Sequence, residues 1–238
     1  MPIKALAFDV FGTVVDWRSG IARDAGPVLA ALGRYDIDPH RFADGWRHRY
    51  QPALEEVRSG RRPFVILDTL HREALEDLLR EHAIDPTTID EATLVHLTHA
   101  WHRLDPWPDS VEGLTRLRTR FPIVTLSNGN IALMIEMARR AALPWDAILG
   151  AEVSRVYKPL PDAYLATARM LDLDPGELCL VAAHHSDLAA ARACGLMTAY
   201  IDRPMEYGGR RAPDADQAQD WDHAATSIAA LADRLVGA

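Results

Sequence analysis

Four short segments carry side chains capable of chemistry. Asp9 stands next to last in the apolar run IKALAFDV and is followed by Val10-Phe11-Gly12-Thr13. A carboxylate at the end of a buried strand costs free energy unless it is hydrogen-bonded or paired. A turn containing Gly12 presents backbone N–H groups, and Thr13 adds a hydroxyl. Ser127-Asn128-Gly129-Asn130 follows PIVTLS and offers hydroxyl, amide and N–H donors of the kind that hold a carboxylate. Lys158, in Val156-Tyr157-Lys158-Pro159, supplies a cation, and Asp187 follows LCLVAA after two adjacent histidines, His184 and His185. Taken singly, each fits a plain role as well. Asp9 and Ser127 suit caps, Lys158 a solvated cation, and the histidines loop side chains satisfied by backbone. Paired histidines at a strand end also raise a metal site, but no further His, Cys or carboxylate stands at a ligand-like spacing, so no metal is expected.

The elements that must position these residues are legible in the apolar pattern. Residues 3–10, 122–127 and 178–183 read as short buried strands, with a shorter one at 198–201. Amphipathic stretches follow them, among them IALMIEMARRAAL and DLAAARACGL. Buried strands alternating with helices predict a doubly wound parallel α/β sheet, whose ligands gather at the carboxyl ends of the strands. Asp9, Ser127 and the 184–187 segment all fall there. Residues 17–103 differ: ALEEV, LDTLHREALEDLLREHA and IDEATLVHLTHAWHRL carry apolar residues at about 3.6-residue spacing, with no convincing strand. They predict a helical domain inserted into a core made of 1–16 and 104–238. The 204–220 stretch reads as a polar loop, and ATSIAALADRLV as a closing helix.

Composition narrows the function classes. Lys plus Arg number 26 against 34 Asp plus Glu, a net charge of −8, so the chain has no global attraction to nucleic acid or an anionic membrane. Any anionic ligand must be held by a local cluster of cations and N–H groups. Two cysteines, Cys179 and Cys194, lie in apolar stretches and make no disulfide framework. No apolar run approaches the roughly 20 residues that span a bilayer, and the first residues lack the pattern of a cleaved leader. The expected compartment is the cytoplasm.

Asp9-x-Phe-Gly-Thr, Ser127-Asn128-Gly129, Tyr157-Lys158-Pro159 and Asp187, in that order and each after a strand or before a helix, resemble the haloacid dehalogenase superfamily. The resemblance covers roughly 1–16 and 105–205, with the helical insertion where that superfamily carries its cap. It implies a Rossmann-like core. Superfamily phosphatases use Asp-x-Asp, the second acid protonating the leaving group, and a further pair of acids for magnesium. Here Phe11 takes the second position and Asp187 stands alone, so the chain resembles the L-2-haloacid dehalogenase branch, which needs no metal or other cofactor.

That branch implies the rest of the site. Asp9 is the nucleophile, Lys158 keeps it ionised, Asp187 balances Lys158 and orients water, and Thr13, Ser127 and Asn128 hold carboxylate oxygens. Arg47, in Gly45-Trp46-Arg47-His48-Arg49-Tyr50, faces the leaving halide, with Arg49 the competing choice. Val10, Phe11, Trp46 and Phe64 line the substrate, and Tyr164 matches a family tyrosine. The third-strand segment departs from the family's Ser-Ser-Asn-x-Trp-Asp: Ala182 and His184 replace a serine and an asparagine. One histidine, His184 before His185, is expected to supply the missing donor, an arrangement suited to fluoroacetate. The expected reaction is hydrolysis of short 2-haloalkanoic acids to 2-hydroxy acids by a homodimer. The alternatives are a magnesium-dependent phosphatase or a non-catalytic binding protein of the same fold.

Overall fold

The computed structural model describes residues 2–237; the terminal residues of the expected core, 1 and 238, lie outside them. Among the described residues there are eight strands: β1 (Ala5–Phe8), β2 (Val15–Asp16), β3 (Asp105–Pro106), β4 (Ile123–Ser127), β5 (Ala147–Gly150), β6 (Leu178–Ala182), β7 (Met197–Ile201) and β8 (His223–Ala225). Six form one parallel sheet in the order β5-β4-β1-β6-β7-β8. The central strands are buried throughout because helices cover both faces, and their residues alternate between two apolar clusters. Leu6, Phe8, Cys179 and Val181 face one cluster, and Ala5, Ala7, Leu178 and Leu180 the other. The edge strands β5 and β8 were not legible in the sequence. They are short and partly exposed, so they lack a continuous apolar run.

Between β2 and β3 the chain runs through α1 (Trp17–Ala31), α2 (Pro39–His48), α3 (Tyr50–Arg58), α4 (Leu67–Glu81), α5 (Glu91–Thr98) and a 3₁₀ stretch, His99–Arg103. In α4 the buried residues Leu67, Leu70, His71, Ala74, Leu75, Leu78 and Leu79 form one face at helical spacing. In α2 the buried face is Phe42, Ala43 and Trp46, which directs Arg47, one turn beyond Ala43, the same way. The two crossings between this helical segment and the sheet are tied together, since β2 and β3 pair antiparallel, Val15 opposite Pro106. Ser110 Oγ donates to Val14 O at 2.7 Å and Trp107 Nε1 to Gly12 O at 2.8 Å, anchoring the crossings on the turn after β1.

The remaining helices are α6 (Ser110–Arg118), α7 (Ile131–Ala141), α8 (Ala151–Ser154), α9 (Pro161–Met170), α10 (His185–Ala193) and α11 (Ile228–Val236). α10 begins directly after β6 and places Asp187 in its first turn, where the N-terminal end of the helix dipole favours a carboxylate.

Candidate active site

Asp9 leaves β1 with its amide still donating to Val181 O of β6 at 3.0 Å, so its side chain emerges at the carboxyl edge of the sheet. Asp9 is 6% exposed, and its carboxylate is met by an ammonium, a hydroxyl and an imidazole. Oδ1 accepts from Lys158 Nζ at 2.9 Å. Oδ2 accepts from Thr13 Oγ1 at 2.7 Å and contacts His184 Nδ1 at 3.0 Å. Thr13 is oriented in turn by the Ala183 amide, which donates to Oγ1 at 2.9 Å. Burial alone would push the Asp9 carboxyl up, but the Lys158 ammonium and the His184 hydrogen bond outweigh it. They hold the carboxyl well below the usual carboxylate range.

Lys158 is a shared cation. Burial opposes its charge, yet Asp187 and Asp9 together raise it above the ordinary lysine value. Nζ donates to Asp187 Oδ2 at 2.5 Å, and Tyr164 OH donates to Asp187 Oδ1 at 2.6 Å, so each oxygen of that acid accepts one hydrogen bond. The Tyr164 hydroxyl is pushed up by burial and by Asp187, and stays a donor. Asn128 Oδ1 accepts the Lys158 amide at 2.9 Å, while its Nδ2 donates to Tyr50 OH at 2.9 Å. Asn128 therefore positions Lys158 and a cap tyrosine and holds no oxygen of Asp9. Ser127 holds none either: its Oγ accepts the Gly129 amide at 3.1 Å and closes the turn after β4. Val10 contributes through its backbone, its carbonyl accepting the amides of Val14 and Val15.

The cap supplies an aromatic enclosure for a cation. The Arg47 guanidinium lies 4.3 Å from the Tyr50 ring centroid and 5.5 Å from that of Trp17. Its Nη1 is buried without a hydrogen-bond partner among the described residues. Trp101 stacks on Trp17 and on His71, and Phe11 and Trp46 meet its ring edge-on at 5.7 and 5.8 Å. His71 is pushed down to about 3 by burial, with the Arg47 charge adding to it despite Asp68, so it is a neutral ring in an apolar wall. Arg49, the competing cation, is spent on Gly45 O and Glu81 of the cap. Phe64, expected to line the substrate, stacks its ring on Tyr157 beneath Arg155 and does not join the enclosure around Arg47.

The two histidines separate cleanly. His185 stacks on Tyr200 and accepts from Trp221 Nε1 at 3.1 Å, packed away from Asp9. His184 bridges Asp9 and a residue the sequence reading passed over: its Nε2 lies 3.0 Å from Glu206 Oε1. Glu206 is 2% exposed and also accepts from Trp17 Nε1 at 3.0 Å. Nothing in MEYGG within a polar loop signals it. Burial opposes charge on His184, but the Glu206 charge and the bonds to both carboxylates raise its pKa well above the ordinary value.

Asp68, His99 and His102 also converge, at the junction of cap and sheet domain. The two imidazoles stack face to face at 4.2 Å, so their in-plane lone pairs run parallel and do not meet at one ion. His102 instead bridges Asp68 of α4 and Glu136 of α7, at 3.0 and 2.8 Å.

A parallel Rossmann-like sheet with a carboxylate after its first strand, beneath a helical cap, is the architecture of a capped hydrolase of the α/β class. The chain belongs to the haloacid dehalogenase-like hydrolase family, which it matches over residues 3–195, and to its L-2-haloacid dehalogenase branch. It is 50% identical to the crystal structure of a defluorinating L-2-haloacid dehalogenase, Rha0230, with a TM-score of 0.95 over 98% of this chain and 95% of that one. It is 28% identical over 203 residues to the (S)-2-haloacid dehalogenase of Xanthobacter autotrophicus, 84% of this chain and 76% of that protein. It is also 28% identical over 200 residues to the phosphoglycolate phosphatase of Chromobacterium violaceum, 81% of this chain and 82% of that protein. Identity at that level does not separate the two chemistries; the residues of the site do. No helix among the described residues is long and apolar enough to cross a membrane.

Proposed function

We propose that the protein hydrolyses the carbon–halogen bond of short 2-haloalkanoic acids, fluoroacetate among them, through an ester on Asp9. The observation that carries this reading is the pairing of an ionised, desolvated Asp9 with Phe11 two residues on. A phosphatase needs an acid at that position to protonate its leaving group, and the edge of a phenyl ring supplies none. Asp187 is paired with the Lys158 ammonium and bonded by Tyr164, and a cation seated against it leaves a poor donor set for magnesium.

In the first step an Asp9 oxygen attacks the halogen-bearing carbon from the side opposite the halide. The carbon–halogen bond breaks with its electron pair on the halide, which leaves toward the unpartnered Nη1 of Arg47. In the second step water attacks Cγ of Asp9, releasing a 2-hydroxy acid and restoring the carboxylate. Asp187, in the first turn of α10 beside Lys158, orients that water. By family likeness the enzyme works as a homodimer in the cytoplasm.

The test is halide release from fluoroacetate, chloroacetate and 2-chloropropionate, beside a phosphate-release assay with and without magnesium. Halide release that persists in EDTA, with no phosphatase activity, is expected. Magnesium-dependent phosphate release without halide release would overturn the reading.

A further inference from the structure

The two oxygens of Asp9 are not equivalent. Oδ1 receives one hydrogen bond, from Lys158, while Oδ2 receives two, from Thr13 and His184. A carboxylate oxygen offers about two in-plane lone pairs. Oδ2 is therefore saturated, and Oδ1 keeps a lone pair free for the substrate carbon. Once Oδ1 has formed the ester bond, Oδ2 is the ester carbonyl oxygen, with two donors already aimed at it.

Resting on the dehalogenation reading above, we propose that Thr13 and His184 form the oxyanion hole for hydrolysis of the Asp9 ester, and that Glu206 is the positioning residue that keeps His184 an imidazolium. Water adds to Cγ and the carbonyl π pair moves onto Oδ2, where the Thr13 hydroxyl and the His184 Nδ1–H stabilise the negative charge. The proton withdrawn from water passes to Asp187. Collapse re-forms the Cγ–Oδ2 double bond and breaks the Cγ–Oδ1 bond. Oδ1 leaves as the 2-oxygen of the product and takes the proton from Asp187. The second water proton is released as the new carboxyl ionises.

Glu206 answers a problem that esterification creates. In the resting enzyme two carboxylates flank His184, but the ester removes the charge of one. Were Asp9 its sole partner, a buried imidazolium would lose its proton at the moment it is needed. Glu206 takes no part in the ester, so its carboxylate still faces His184 Nε2 while Asp9 is esterified. Its burial is matched by Trp17 Nε1 and His184 Nε2, both on Oε1. Gly12 makes the seat possible, since a Cβ at that position would lie 2.1 Å from Oε1.

The groups that set the charge state of His184 come from each element around it. Asp9 faces it from the end of β1 and Glu206 from the loop after β7. Tyr200 of β7 and Tyr207 of the same loop also feel its charge. Lys158 bears on it through Asp9, and Arg47 acts on both carboxylates.

The experiment is rapid-quench single turnover with chloroacetate, following chloride release and, by mass spectrometry, the ester on the Asp9 peptide. Wild type, Glu206→Gln and His184→Asn are compared from pH 6 to 10. In both variants ester decay is expected to slow about 100-fold, the scale of losing one oxyanion donor, and by more than chloride release slows, so that ester accumulates. In wild type, ester decay should fall as pH rises through the raised pKa of His184, and in Glu206→Gln that fall should move to lower pH. Ester decay as fast in both variants as in wild type would overturn the proposal. So would a wild-type decay that accelerates with pH through the histidine range, the behaviour of a neutral histidine acting as base; this readout needs no variant to fold. Failure of the wild type to form any Asp9 ester would defeat the dehalogenation reading itself, and the proposal with it.

Discussion

The carboxylate of Glu206 occupies the space that a side chain on residue 12 would fill: Oε1 lies 2.1 Å and Cδ 2.5 Å from the Cβ position of Gly12. Gly12 also has a φ of +86°, in the left-handed region where an L side chain is strained. Gly12→Ala is therefore expected to combine backbone strain with expulsion of a buried, hydrogen-bonded carboxylate. The two together should cost about 2–4 kcal/mol. Denaturant unfolding measures the loss, and single turnover should show slow ester decay as in Glu206→Gln. A variant as stable as wild type would mean that Glu206 is not seated there.

Asp9→Ala is expected to abolish turnover by at least about 10⁴-fold while the protein stays folded. Removal of the carboxylate leaves Lys158 with Asp187, and His184 with Glu206, so neither cation is stranded. In wild-type single turnover in ¹⁸O-water, label should enter Asp9 and not the product. Label in the first-turnover product would mean direct attack of water on the substrate.

Arg47→Ala should lower kcat/KM about 10²- to 10³-fold, with the loss largest for fluoride and smallest for bromide. Arg47→Lys should recover little. A guanidinium over the rings of Tyr50 and Trp17 combines planar stacking with a donor, and an ammonium does not reproduce both. Equal losses for every halide, with KM alone rising, would move Arg47 to the substrate carboxylate.

His102 joins cap to sheet domain through Asp68 and Glu136, and these two acids raise its pKa against the opposing effect of burial. A group raised on folding contributes its full stability below the unfolded value of about 6.5 and loses it as pH rises through the folded value. His102→Gln should thus cost about 1–2 kcal/mol near pH 6, mostly through Asp68 since Glu136 is half exposed, and much less at pH 9. Thermal unfolding of both proteins at the two pH values measures it. An equal cost at both would assign the residue to packing alone.

What the sequence determined by itself was the sheet's carboxyl edge and the side chains that stand on it. Buried parallel strands are written as short apolar runs, and the few residues after each run must emerge at that edge. Asp9 and Asp187 are placed in this way, and the helical spacing of residues 17–103 announces the cap. Lys158 was reached through its motif, since its turn follows the half-exposed strand β5 and short α8. Which neighbours these side chains find was decided by tertiary structure. Ser127 and Asn128 carry donors suited to Asp9, but Ser127 Oγ accepts from the Gly129 amide, and Asn128 accepts from the Lys158 amide and donates to Tyr50. His184 and His185 are adjacent in the chain and diverge: His184, at the N-cap position of α10, turns its ring to Asp9 and Glu206, while His185 packs on Tyr200 and Trp221. Glu206 lies 189 residues from Trp17 and shares a buried hydrogen bond with it. Such a contact leaves no periodic trace in a polar loop, because what recruits Glu206 is the loss of water around a cation that exists only once the loop has folded back over the nucleophile.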